Sequence, residues 1–179
     1  MNPDDIRTDP RLAGRVVRYH TWPQVGQQTV AEHGWNVARI VLAIAPDAPG
    51  YVISHALFHD VGEIKTGDLP YPIKKDNPSL KKVMDELEIH ARIDMSSKWL
   101  LSTPESLDEH WRRLIKLADM MEMFEWAIEQ LNIGNRYARP VFGAVMPFIQ
   151  GEMISWPDSA QQERIKFYVG TRLFTLEAL

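Results

Sequence analysis

The 179-residue chain contains no cysteine. Disulfides, a thiolate nucleophile and thiolate metal ligands are therefore excluded, which suits a reducing compartment. An excess of positive charge is also missing. The net charge of −4 gives no basic footprint for a nucleic-acid polymer. No apolar run approaches the length of a membrane span. Linker-like, low-complexity and repeated segments are absent. The opening stretch MNPDDIRTDP is polar and acidic, unlike a secretory or transit signal. These absences predict a cytoplasmic protein with no membrane or nucleic-acid partner. What is present is 45% hydrophobic and 25% charged residues, a globular composition in a length that suits one domain, residues 1–179.

Alternating, strand-like runs are missing too, and nearly every local signal is helical. Leu12–Arg18 reads as a short helix or turn, followed by a loop containing Pro23 and Gly26. Thr29-Val30-Ala31-Glu32 has the capping-box pattern and opens a helix to about Ala45. That helix is apolar nearly all round, so it should lie in the middle of the fold. A third helix runs from about Tyr51 to Asp60 or Lys65, with Gly62 as a weak point. Asn77-Pro78 opens a helix to about Leu101, and Thr103-Pro104-Glu105 opens another that Gly134 stops. Two C-terminal helices follow, roughly Arg139–Met153 and Ser159–Ala178. The predicted class is all-α: a compact single-domain bundle of six or more helices.

Chemistry concentrates in the stretch HALFHDVGEIKTGDLPYPIK, from His55 to Lys74. His59 and Asp60 end an apolar helical run, and Glu63 lies one turn on, so the three can share a face. His33 lies on the first turn of the central helix, and Asp119 on an otherwise apolar face of the long one. Two imidazoles and two carboxylates would suit a divalent ion such as Co, Mn, Zn, Fe or Ni. Each residue also has an ordinary reading. A His-Asp pair arises by chance, His33 could be a simple half-buried histidine, and Asp119 could pair with Lys116 one turn back. A mid-helix acid on an apolar face nevertheless needs a partner.

The pattern H…HD…D on separate helices resembles the HD-domain phosphohydrolases. Glu32-His33, HDVGEIKTGDLPYPIK and KLADMMEMFEW around Asp119 are more narrowly similar to the bacterial YfbR-type 5′-deoxynucleotidases and their small phage relatives. Some of those relatives are dATP triphosphohydrolases. The resemblance covers about residues 11–135, and the C-terminal helices at about 139–178 carry no recognised motif.

That resemblance implies metal ligation by His33, His59, Asp60 and Asp119. It makes Arg18 the phosphate-binding arginine, Glu63 the catalytic carboxylate and Asp68 the acid of the TGD turn. Asp68 could take the sugar 3′-hydroxyl or close its own turn. Trp22 could stack on the base or pack in the core. Lys65 and Lys74 are among the candidates for contacts to further phosphates, which a second ion, Mg, could accompany. One residue departs from the family: Tyr19 follows Arg18 where the deoxynucleotidases place tryptophan. The implied activity is hydrolysis of the bond between the 5′-oxygen and the α-phosphorus of a deoxyribonucleotide. A monophosphate substrate is favoured, with a triphosphohydrolase as the alternative and a non-catalytic nucleotide-binding module as a third reading. The resemblance also implies a homo-oligomer, a dimer or larger, in a bacterial or phage-infected cytoplasm.

Overall fold

The computed structural model describes residues 8–69, 71–99 and 107–177. A single helical turn, α1 (Pro10–Ala13), forms because Asp9 accepts a hydrogen bond from the Arg11 N–H at 2.9 Å and proline presets the first residue. Two short antiparallel strands follow, β1 (Val17–Arg18) and β2 (Gln28–Thr29), with Arg18 opposite Gln28. They correct the expectation of a helix or turn through Arg18 and of a chain without strands. Two residues per strand are too few to show alternation. The loop between them is held from across the chain. Val25 donates to the Gln130 side chain at 2.9 Å and accepts from it at 3.0 Å.

The central helix α2 (Val30–Ile44) starts where its capping box predicts. Glu32 N–H donates to Thr29 Oγ1 at 3.3 Å, and Thr29 N–H donates to Glu32 Oε2 at 2.7 Å. Next comes α3 (Gly50–Phe58), then a 3-10 turn at Val61–Ile64 in place of a continuous helix to Lys65. A short helix that the sequence did not signal, α4 (Tyr71–Asp76), precedes α5 (Pro78–Trp99). The Thr103–Glu105 opening and the expected helix end at Leu101 lie outside the described residues. The long helix α6 (Glu109–Asn132) starts later than an opening at Thr103 would give: Leu107 and Asp108 are not helical, Asp108 caps it by accepting from the Trp111 N–H at 2.9 Å, and Gly134 stops it at φ 86°. A 3-10 turn at Arg136–Ala138 leads into α7 (Arg139–Ser155) and α8 (Ser159–Glu177).

One apolar core joins five of these helices, α2, α3, α6, α7 and α8. Val37, Ile40, Val41 and Ile44 of α2 meet Val52 and Ala56 of α3 and Leu114, Leu117, Met121 and Phe124 of α6. Val145 and Ile149 of α7 and Ile165 and Val169 of α8 close it. Each such side chain contributes about 1.5–3 kcal/mol when fully buried. Two glycines set the spacing around the future site. A Cβ on Gly34 would lie 2.4 Å from the Leu57 carbonyl oxygen, and one on Gly62 would lie 2.4 Å from that of Glu88. Gly62 is therefore a point of close packing rather than a weak point in a helix. No helix among the described residues is long and apolar enough to cross a membrane.

Candidate active site

The capping box places His33 one turn inside α2, on its inward face with Val30, Gly34 and Val37, where it is 0% exposed. His59 and Asp60 sit where α3 gives way to the 3-10 turn. Asp60, at φ −100° and ψ 9°, leaves helical geometry. The His59 carbonyl, freed by the end of the helix, accepts from the Arg92 guanidinium of α5. Asp119 enters from the middle of α6.

These residues converge. Ligand atoms of His33, His59 and Asp60 all lie within 4.8 Å of one another. His33 Nε2 is 3.2 Å from His59 Nε2 and 3.4 Å from both Asp60 Oδ2 and Asp119 Oδ1. The other oxygen of Asp119 accepts from Lys116 Nζ at 2.7 Å, so the ordinary pairing and the approach to the cluster coexist.

The donor set fits a cation. His33 Nδ1 lies 2.5 Å from Glu122 Oε2, and His59 Nδ1 lies 2.8 Å from the Ala56 carbonyl. Both partners are acceptors, so each neutral ring carries its proton on Nδ1 and turns a bare Nε2 lone pair toward the other. Two such nitrogens facing at 3.2 Å, beside two carboxylates, call for positive charge among them, met by a proton on His33 or by a cation. The protonation tendencies agree. Burial and Arg18 oppose protonation of His33, yet Glu122 and Asp119 outweigh them and raise its pKa to about 9. Burial lowers that of His59. Burial works against ionised Asp60, but His59, His33 and Arg18 bring its pKa down to about 2. Asp119 is held well below the ordinary range, against burial, by His33 and Lys116.

Around the cluster stand the remaining predicted residues. Arg18, 6% exposed, donates through Nη1 to Asp60 Oδ2 at 2.8 Å, while its Nε–H has no hydrogen-bond partner among the described residues. Glu63 is 5% exposed, and its Oε2 is likewise unpartnered. Burial, then the charge of Asp60, pushes its pKa up to about 8. Asp68 makes a contact that sequence did not suggest: its Oδ2 accepts from the Tyr19 N–H at 2.7 Å. Tyr19 has φ 54°, a left-handed conformation that costs a non-glycine residue about 1–3 kcal/mol. Asp68 and a ring stack on Trp126, with centroids 3.9 Å apart, hold it there and so fix Arg18 beside it.

Other predicted residues lie elsewhere. Trp22 packs with Tyr19 and Trp126 in a side cluster, and its indole N–H donates to the Tyr137 carbonyl at 2.8 Å. Lys74 faces Glu88 at 3.5 Å, and Lys65 is exposed. Sequence reasoning missed Glu122 and Gln28; Lys116 was read both as a partner of Asp119 and as a candidate contact to further phosphates. The available signal was spacing: Lys116, Asp119 and Glu122 follow one another at steps of three on α6. Two grooves lie beside Gln28, and neither is lined by His33, His59, Asp60 or Asp119.

The whole architecture has solved counterparts. An HD phosphohydrolase of cyanophage S-2L, bound to dA and one catalytic Zn2+, matches with a TM-score of 0.67 and 22% identity, covering 95% of each chain. An HD-domain phosphohydrolase of Listeria innocua matches with a TM-score of 0.70 and 16% identity, covering 98% of this chain and 89% of the other. A helical bundle gathering a histidine, a His-Asp pair and a distant aspartate at its centre is an HD-type phosphohydrolase fold. Residues 13–146 match the model of the YfbR-like 5′-deoxynucleotidases, and the chain belongs to that family of phosphate-ester hydrolases. A 5′-deoxynucleotidase of Yersinia pestis is 31% identical over 143 residues, 68% of this chain and 72% of the relative. One from Pasteurella multocida is 25% identical over 174 residues, 86% of each.

Proposed function

We propose that the protein hydrolyses deoxyribonucleoside 5′-monophosphates to deoxynucleoside and phosphate, using a divalent ion held by His33, His59, Asp60 and Asp119. The observation that carries this reading is the cluster of His33, His59 and Asp60 ligand atoms within 4.8 Å of one another, with Asp119 Oδ1 3.4 Å from His33 Nε2, in a chain of this family. When bound, such an ion supplies Lewis-acid polarisation of a phosphoryl oxygen and a more acidic attacking water. The mixed N/O donors admit Co, Mn, Zn, Fe or Ni.

The chain's own residues do the rest. Arg18 presents the unpaired edge of its guanidinium to the phosphate, with its other arm anchored on Asp60. Glu63 takes the proton of the attacking water at Oε2. The bond from phosphorus to the 5′-oxygen breaks, and that oxygen leaves with a proton returned from the same carboxyl. A pKa raised in part by Asp60 moves back toward neutrality once positive charge sits beside Asp60, where a general base works best. Asp68 acts through the backbone, holding Tyr19 and with it Arg18.

Hydrolysis of triphosphates is the second reading, and Lys116 favours it. Its side chain is more than half exposed and its ammonium lies beside Asp119, so it could meet a further phosphate. Incubating Zn2+-, Mn2+- or Co2+-loaded protein with each dNMP and dNTP separates the readings. Free phosphate from dNMP supports the first, and triphosphate from dNTP the second. Tight nucleotide binding with no product would make the protein a sensor instead. A substrate of this kind belongs in the cytoplasm. The exposed Phe167 and Phe174 of α8 supply a surface for the proposed homo-oligomer, which sedimentation would reveal.

A further inference from the structure

Glu122 has no place in the chemistry above, yet it is among the most buried charged groups in the chain. It is 2% exposed, and both its oxygens are engaged. Oε2 meets His33 Nδ1 at 2.5 Å, and Oε1 accepts from Gln28 Nε2 at 2.5 Å. Among the described residues no lysine or arginine lies within ion-pairing distance of it; His33 is its sole charged-type partner. Even paired with His33, a buried carboxylate is costly to desolvate, and an apolar pair of similar volume is often no worse for stability. The fold alone therefore gives little reason for an acid here.

We propose that Glu122 is the positioning residue for His33, fixing the ring so that Nε2 faces His59, Asp60 and Asp119, with Gln28 holding Glu122 in turn. A flipped ring would offer a carbon instead. An acceptor on Nδ1 keeps the proton there, which leaves Nε2 bare and strengthens it as a donor to a cation. Gln28 links this arrangement to the phosphate side of the site. It stands opposite Arg18 across the two-stranded sheet, so one hairpin presents the guanidinium and also anchors the carboxylate behind His33. Distance in sequence hides the relation, since Glu122 lies 89 residues from His33 and 94 from Gln28.

The inference rests on the metal-dependent reading, and its test separates the two. Zn2+ affinity is measured by competition with a chromophoric chelator for wild type, Glu122→Gln and the double variant Gln28→Glu/Glu122→Gln. Thermal unfolding in EDTA is recorded for each. In Glu122→Gln the Gln28 amide turns its free oxygen toward the new N–H2 and His33 Nδ1 keeps only a neutral, weaker acceptor, so Zn2+ affinity falls about 10–100-fold while unfolding in EDTA changes little. The double variant swaps donor and acceptor along the same pair and regains affinity. Should Glu122→Gln fail to fold, Gln28→Leu tests the same chain of contacts from its outer end, again with weaker Zn2+ binding expected. Unchanged affinity in the variant that folds overturns the proposal. So does a variant whose only change is a lower unfolding temperature in EDTA. Wild-type protein that takes up neither Zn2+ nor Co2+ overturns the metal-dependent reading along with it.

Discussion

Glu63 is the residue whose surroundings and proposed task can be tested separately. Glu63→Gln keeps the shape and removes the proton-accepting oxygen. Turnover should fall about 10²–10⁴-fold while bound metal, measured by elemental analysis, stays at the wild-type level. The same substitution tests the environment in metal-free protein. The folded state keeps a proton on Glu63 up to about 8, whereas the unfolded chain loses it near 4.5. Between those values the native state binds more protons, so rising pH destabilises it, by at most about 1.4 kcal/mol per pH unit. Urea unfolding in EDTA should show wild type losing stability relative to Glu63→Gln across that window and levelling off above it. Equal pH dependence in the two proteins would show that Glu63 is not held neutral. At this scale the sequence was partly legible. His59-Asp60 and Asp119 stood out as polar groups where apolar ones belong. Glu122 did not, because α6 also carries Glu109, Glu125 and Glu129, and its three-residue step from Asp119 was the one local mark that it turns inward. Lys74 read as a phosphate contact because its partner Glu88 lies on another helix.

Among elements, the spacing of α2 against α3, and of the 3-10 turn against α5, depends on two missing side chains. Gly34→Ala and Gly62→Ala should each destabilise the protein by about 1–3 kcal/mol, since the new Cβ meets a backbone oxygen that cannot rotate away. Gly143→Ala in α7 is the control. Its Cβ would meet nothing within 4 Å, and the change should be neutral or stabilising by up to about 1 kcal/mol. Chemical denaturation of the three variants checks the contrast. A Gly62→Ala protein as stable as wild type would remove the packing role given to that residue. The helices were legible where caps mark them, as at Thr29–Glu32, Asn77-Pro78 and Gly134. The strands escaped because two residues apiece cannot display a period of two. The 3-10 turn escaped because its geometry follows from α5 lying against Gly62, which no local propensity encodes.

For the whole molecule, the cation would tie α2, the end of α3 and α6 together at one point. Native protein should gain stability as RT ln(1 + [L]/Kd), about 2.7 kcal/mol with free Zn2+ at a hundredfold excess over Kd. Differential scanning fluorimetry with Zn2+ and with EDTA measures it, and Asp119→Asn should shrink the shift. An equal shift in that variant would exclude Asp119 as a ligand. The convergence was legible only through motif resemblance, because spacing along the chain says nothing of which helices meet. It also has an order in time. A ribosome releases His33 and the His59-Asp60 pair well before Asp119, and the chain must fold back on itself before all four can gather. Loading of the proposed ion would thus be a closing event of maturation, and the ion captured would depend on what surrounds the finished protein.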